Sequence, residues 1–71
     1  MATPIAAHIT GTVWKLEVKV GDRVDEYGVV AILESMKMEM PVEAPAAGTV
    51  TAVLCTEGQA VAEGQVLVVL D

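Results

Sequence analysis

The sequence has few of the residue types from which catalytic, metal or nucleic-acid sites are built. It contains one cysteine, one histidine and no phenylalanine, and four Lys and Arg stand against ten Asp and Glu. A single cysteine cannot form an internal disulfide. Nucleic acids and anionic membranes are bound through clustered basic residues, which a chain of formal net charge −6 does not offer. We therefore expect no nucleic acid and no membrane among its partners.

Long apolar runs are also missing. The longest uninterrupted aliphatic runs, 29–33 and 66–70, have five residues each, which is too short to cross a bilayer. The amino-terminal M-A-T-P-I lacks the basic segment and the apolar stretch of a secretory signal. These features predict a cytoplasmic protein.

What the chain has in quantity is aliphatic residues. Hydrophobic residues make up 54% of the 71 positions, and with so few aromatic residues the core must be built from Val, Ala, Leu and Ile. This composition favours strands, and no segment has the length and 3.6-residue periodicity of a helix. Short strands separated by turn signals such as Gly21-Asp22 and Gly58-Gln59 predict an all-β fold, an antiparallel sandwich or flattened barrel.

The sequence repeats itself at an offset of 37 residues. Residues 4–34 align without a gap with residues 41–71, and ten of the 31 paired positions are identical. We therefore expect a single domain, residues 1–71, whose two halves fold alike about a pseudo-twofold axis.

The expected second strand of each half, residues 11–20 and 48–56, has an irregular apolar pattern. Val13, Leu16 and Val18 are spaced by three and then by two, and the second half repeats this spacing. A regular strand would give two and two, so both strands are predicted to contain a bulge or bend.

The segment between the halves, residues 35–40, has the sequence S-M-K-M-E-M and no counterpart in the repeat. We expect it to join the halves as a hairpin at one end of the sandwich, with Lys37 in its middle. An exposed lysine amine can be presented to a modifying enzyme and, once deprotonated, can attack an activated acyl group, which arginine cannot do. From spacing alone, an ordinary surface lysine in a turn remains the alternative.

The amino-acid sequence of this segment is more informative about function than its position between the halves. E-S-M-K-M-E-M, followed by P-V-E-A-P-A-A-G-T-V, closely resembles the attachment site of biotinyl domains, the carrier parts of biotin-dependent carboxylases. The resemblance covers essentially the whole chain. It implies a flattened barrel, or hammerhead sandwich, of two four-stranded antiparallel sheets with quasi-twofold symmetry. Related lipoyl domains usually have Asp before the lysine and Ala or Val after it, so the two flanking methionines favour biotin.

The resemblance implies a biotin carboxyl carrier rather than an enzyme. A biotin protein ligase would attach biotin covalently to Lys37, and the arm would carry a carboxyl group between a biotin carboxylase and a carboxyltransferase. Met36 and Met38 would form part of the recognition surface around the arm, with partial core filling as the alternative. Ser35 and Glu34 complete the predicted cofactor-binding set, although a solvated strand-end charge is the simpler interpretation of Glu34.

Two other functions are compatible with the same fold. The chain would be a lipoyl carrier if Lys37 received lipoate for 2-oxo acid dehydrogenase or glycine-cleavage chemistry. It would be an unmodified docking module if the lysine received nothing. We also expect the chain to be either a free-standing carrier or a part of a longer one.

The sequence departs from the family at Tyr27. Biotinyl domains commonly have glycine there, as the second half of the repeat does at Gly64, whereas here Gly28 comes one residue later. This shift predicts a rearranged turn, and the tyrosine would either contact a partner or cover the end of the barrel.

Three further residues are expected to have no role in catalysis. Cys55 aligns with Val18 and is predicted to be a core thiol rather than a nucleophile. His8 has no metal-ligand spacing to cysteine or another histidine, so no metal site is expected. Trp14 is predicted to point outward, either as a docking contact or packed on the barrel surface.

Overall fold

The computed structural model describes residues 2–71, and eight strands and no helix lie among them. The all-β prediction is confirmed. The strands are β1 (Thr3–Ala6), β2 (Gly11–Leu16), β3 (Arg23–Val24), β4 (Val29–Ser35), β5 (Met38–Glu43), β6 (Gly48–Val53), β7 (Ala60–Val61) and β8 (Val66–Leu70).

The strands form two four-stranded sheets. Their orders are β1-β8-β6-β3 and β5-β4-β2-β7, and all neighbouring strands are antiparallel. The 37-residue offset relates β1 to β5, β2 to β6, β3 to β7 and β4 to β8. Exchanging the strands of each pair converts the order of one sheet into the order of the other. The continuous apolar runs of β4 and β8 lie inside their sheets rather than at the edges.

Both predicted bulges are present. The register of β2 against β4 shifts between Val13 and Lys15, and that of β6 against β8 shifts between Val50 and Ala52. The extra residue of the first bulge is Trp14, which is 48% exposed and so points outward as predicted. A bulge leaves one residue without a cross-strand partner and changes the direction of its side chain.

The second strands end earlier than the sequence indicates. β2 ends at Leu16 rather than residue 20, and β6 ends at Val53 rather than residue 56. The backbone beyond Leu16 turns towards the other sheet, where the N–H of Gly21 donates to the carbonyl oxygen of Val50 at 2.8 Å. Within that turn, the N–H of Lys19 donates to a side-chain oxygen of Asp22 at 3.0 Å.

The prediction of a rearranged turn at Tyr27 is wrong. The N–H of Tyr27 donates to the carbonyl oxygen of Ala44 at 2.8 Å, and Gly64 makes the equivalent bond to Ala7 at the same distance. Tyr27 has φ 66° and Gly64 has φ 88°, so the tyrosine adopts the left-handed backbone of its glycine counterpart. The pairing with Ala44 holds this conformation although the side chain disfavours it.

The core lies between the sheets and is drawn from both halves of the chain. Cys55 is among its members, as predicted, and burial raises the pKa of its thiol above the ordinary value. Among residues 2–71, no helix is long and apolar enough to cross a membrane. The buried side chains are Ile5, Ala7, Val13, Val24, Val30, Ala31, Leu33, Val42, Ala44, Val50, Cys55, Val61, Leu67, Val68 and Leu70.

Candidate functional site

The hairpin that joins the two halves is tighter than the predicted segment 35–40. Ser35, the last residue of β4, pairs directly with Met38, the first residue of β5, so only Met36 and Lys37 lie outside the strands. Their φ angles are 53° and 66°. Two central residues with positive φ are the mark of a type I′ turn, whose twist matches that of the strands it connects. Lys37 is therefore at the apex of the hairpin.

The two turn residues do not suit this backbone. Type I′ turns are normally built from Asn-Gly or similar pairs, because a Cβ atom clashes with the following carbonyl oxygen in the left-handed region. A residue such as Met or Lys there costs roughly 1–2 kcal/mol. The stable strand pairing of β4 with β5 holds the turn in place. The residues of the apex are therefore not the ones that stability alone would select.

The side chains of the apex are directed into solvent. Met36 is 93% exposed and Met38 is 59% exposed, and Lys37 is also exposed. Within residues 2–71, Lys37 makes no hydrogen bond or ion pair. Met36 therefore does not fill the core, whereas Met38 is partly covered by the domain. Met40, two residues further along β5, is the half-buried methionine of this segment.

The remaining predicted site residues lie just below the apex. Glu34 is exposed and pairs across the hairpin with Glu39, which is also exposed. Two like charges directly opposite each other destabilise a strand pair. Ser35 is half-buried beside the start of β2, where a Cβ placed on Gly11 would lie 3.4 Å from that of Ser35 and 2.5 Å from the carbonyl oxygen of Glu34. A larger residue at either position would push β2 away from the end of β4.

The reactive group that the tip presents is the amine of Lys37. No group of three or more His, Cys, Asp or Glu in residues 2–71 could hold a metal ion, and His8 is exposed. These residues also form no pocket for a small molecule. What the arrangement can do is offer the amine of Lys37, framed by two apolar side chains, to another protein.

Sequence reasoning brought together the residues that the structure places at the tip, but it missed two features. One is the left-handed backbone of Met36 and Lys37, which carries no sequence signal because neither residue is Gly or Asn. The other is the opposed pair of Glu34 and Glu39, which becomes visible only when the turn is fixed at two residues. The available clue was that Glu34 lies two positions before Met36 and Glu39 lies two positions after Lys37.

The sequence pattern of the family described as "Biotin-requiring enzyme" matches residues 1–70. The chain belongs to this family. The match confirms the resemblance drawn from the motif around Lys37, and it identifies a small carrier-like domain.

Relatives and solved structures agree with this assignment. The chain is 46% identical to the "Biotin/lipoyl attachment protein" of Bacillus subtilis over 94% of its own length and 92% of that protein. It is 42% identical to the "Biotin carboxyl carrier protein" of Streptococcus mutans, of which it spans 53%. The structure of the urea carboxylase of Kluyveromyces lactis matches the whole chain with a TM-score of 0.93 and 35% identity. The chain spans 6% of that enzyme.

Proposed function

We propose that this protein is a biotin carboxyl carrier and that Lys37 is the residue that receives biotin. The observation that carries the proposal is the position of Lys37 at the apex of a two-residue turn, exposed and without a partner among residues 2–71. A modifying enzyme can reach this amine from several directions without disturbing the strands. The two other lysines, Lys15 in β2 and Lys19 in a turn fixed by Asp22, have no such position.

The loading step is an acyl transfer. The Nζ atom of Lys37 attacks the carbonyl carbon of an activated biotin acyl group, the new C–N amide bond forms, and the bond to the activating group breaks. The amine gives up its proton, for which a base is needed. The nearest carboxylates, Glu34 and Glu39, make no hydrogen bond to Lys37 among the residues described, so we expect the biotin protein ligase to supply both the base and the activated acyl donor.

The residues around the lysine fit an attached biotin. When bound, biotin supplies a ureido nitrogen that can accept and release a carboxyl group. The chain holds the arm away from its own surface, because the apex is the outermost point of a strand pair. Met36 and Met38 provide a flexible, polarizable apolar surface on either side of it. The partners are then a biotin carboxylase and a carboxyltransferase, between which the arm moves while the domain stays folded.

The test is incubation of the purified chain with a biotin protein ligase, ATP and biotin, followed by intact mass measurement and peptide mapping. We expect one biotin per chain, on Lys37, and none on the Lys37→Arg variant. Lys15→Arg and Lys19→Arg serve as matched controls and should load as the wild type does. Label on either of these lysines, or label that persists in Lys37→Arg, would contradict the proposal.

A lipoyl carrier is the second candidate, because the Bacillus subtilis relative is named for biotin or lipoyl attachment. A parallel incubation with lipoate ligase distinguishes the two. Loading with lipoate but not with biotin would replace the carboxylase function with an acyl-transfer one. Loading with neither would leave an unmodified docking module.

A further inference from the structure

One difference between the two halves lies in the turn that precedes β4 and β8. Tyr27 and Gly64 occupy equivalent positions, with equivalent backbone hydrogen bonds and positive φ. Glycine adopts this backbone without strain, and a Cβ built on Gly64 meets nothing within 4 Å. The fold therefore needs a left-handed residue here but no side chain. Tyrosine is an unfavourable choice on backbone grounds alone.

The tyrosine gains little from its own domain in return. Its side chain is 69% exposed, so most of its apolar surface remains in water. Within residues 2–71, its hydroxyl group makes no hydrogen bond. The expectation that Tyr27 covers the end of the barrel is thus not supported by its burial. A contact outside the domain accounts for a large side chain in this position.

The surroundings of Tyr27 define the chemistry of that contact. Asp25 and Glu26 precede it in the turn, and Val29, which is 38% exposed, follows and pairs with Glu43 on β5. All three carboxylates are exposed. We call these five residues the Tyr27 patch. An aromatic and an aliphatic side chain among carboxylates complement a basic surface, and arginine in particular can both stack on tyrosine and pair with carboxylates.

The equivalent surface of the other half lacks this character. Asp25, Glu26 and Glu43 correspond at the 37-residue offset to Ala62, Glu63 and Ala6, so the surface around Gly64 has one carboxylate where the Tyr27 patch has three. The aromatic residue and the negative charge are thus concentrated together at one of two otherwise equivalent turns and the strand beside it. Because the fold is the same in both places, the difference does not serve the fold.

The patch lies at the far end of the strand that presents the lysine. β4 has seven residues, Val29–Ser35, and therefore separates the turn at Tyr27 from the apex by about 20 Å. A partner bound at the patch leaves Lys37 free to move. Such an anchor would raise the effective concentration of the arm near the partner's active site.

We infer that the Tyr27 patch is a docking surface for a basic surface of the carboxylase component that the carrier serves. The inference rests on the proposed function, since it names a partner of the loaded carrier. It differs from the loading reaction in both place and residues. The ligase acts at the apex, whereas the patch engages a partner at the opposite end of β4.

The experiment measures binding of the chain, biotinylated on Lys37, to the biotin carboxylase of the same organism. The Tyr27→Gly variant removes the aromatic anchor and restores the residue that the backbone prefers, so it should melt no earlier than the wild type. We expect its Kd to rise about tenfold, as for loss of a central aromatic contact. Glu26→Lys should raise the Kd as well, and the wild-type Kd should rise with salt.

The matched control moves the aromatic residue to the other half. The double variant Tyr27→Gly/Gly64→Tyr keeps one tyrosine in a left-handed turn, but on the surface with one carboxylate. We expect it to bind as weakly as Tyr27→Gly. A Kd within twofold of wild type for Tyr27→Gly, or full recovery in the double variant, would overturn the docking surface. Lys37 loading is measured on every sample, so failure of the proposed function would appear separately as an unbiotinylated wild type.

Discussion

The two halves of the chain use nearly the same backbone with different side chains, and two pairs of equivalent turns show how these differences relate to the fold. At one pair of equivalent turns both halves have glycine with positive φ, Gly21 at 97° and Gly58 at 89°. At the next pair the second half has Gly64 and the first has Tyr27. The first case shows that the fold requires a left-handed residue, for which glycine is the unstrained choice. The second shows a side chain that the fold does not require.

The hairpin apex extends this comparison to a turn that has no equivalent in the other half. Met36 and Lys37 also occupy left-handed positions with side chains that disfavour them. All three non-glycine residues with positive φ in residues 2–71 are thus exposed, at the apex or in the Tyr27 patch. Local strain of this kind persists where the surrounding pairing over-determines the backbone, and it is found at functional positions.

The largest effect on the free energy of unfolding is expected for substitutions at core positions that are identical in the two halves. Val13 and Val50 are equivalent, identical and almost fully buried, each just before a bulge. Truncation of either to Ala should lower the free energy of unfolding by roughly 1–3 kcal/mol, because it removes two methyl groups from a packed core. Urea denaturation of both variants checks this. If one variant were as stable as the wild type while the other unfolded, the two halves would not contribute equivalently to the core.

A smaller change in the free energy of unfolding, and one of opposite sign, is expected for a substitution at the apex. Met36→Gly removes strain of about 1–2 kcal/mol but gives the unfolded chain more freedom, worth about 0.4–1 kcal/mol. The net result should be a gain in stability of up to about 1.5 kcal/mol. The same variant removes an exposed apolar contact beside Lys37, so kcat/KM for biotin loading should fall, by about fivefold for a loss of ~1 kcal/mol.

Thermal denaturation and ligase kinetics on the same Met36→Gly samples separate the two effects. Met40→Leu is the control, because Met40 is the half-buried methionine of β5. This substitution should change neither the rate of biotin loading nor the conformation of the turn. A more stable variant that loads at the wild-type rate would show that Met36 has no part in recognition. A less stable one would show that the apex is not strained.

The sequence was most informative where residues repeat. The three-and-two spacing around Val13 and its equivalent around Val50 predicted both bulges, because one extra residue shifts the alternation of inward and outward side chains. The lack of a counterpart for residues 35–40 located the hairpin. The motif there pointed to Lys37 as the attachment residue only through its resemblance to a family. These inferences needed only local pattern and comparison within the chain.

Other features depend on contacts that no local pattern records. β2 ends at Leu16, and the chain beyond it reaches β6 through the bond from Gly21 to Val50, a pairing that a sequence window cannot contain. The two-residue strands β3 and β7 are too short to show alternation. The left-handed backbone of Tyr27 is imposed by its bond to Ala44, against the preference of the residue itself.

The smallest effect on the free energy of unfolding is expected at Lys37, in contrast to the buried core. The side chain is exposed and makes no hydrogen bond or ion pair within residues 2–71, so Lys37→Gln should change the free energy of unfolding by no more than about 0.5 kcal/mol. The backbone strain is unchanged, since glutamine is no better suited to a left-handed position. Loading with biotin should nevertheless be abolished, because glutamine has no nucleophilic amine. Denaturation curves and intact mass spectra of Lys37→Gln and wild type, recorded side by side, measure both properties. A variant that lost more stability than Val13→Ala would mean that the lysine supports the hairpin rather than being presented by it.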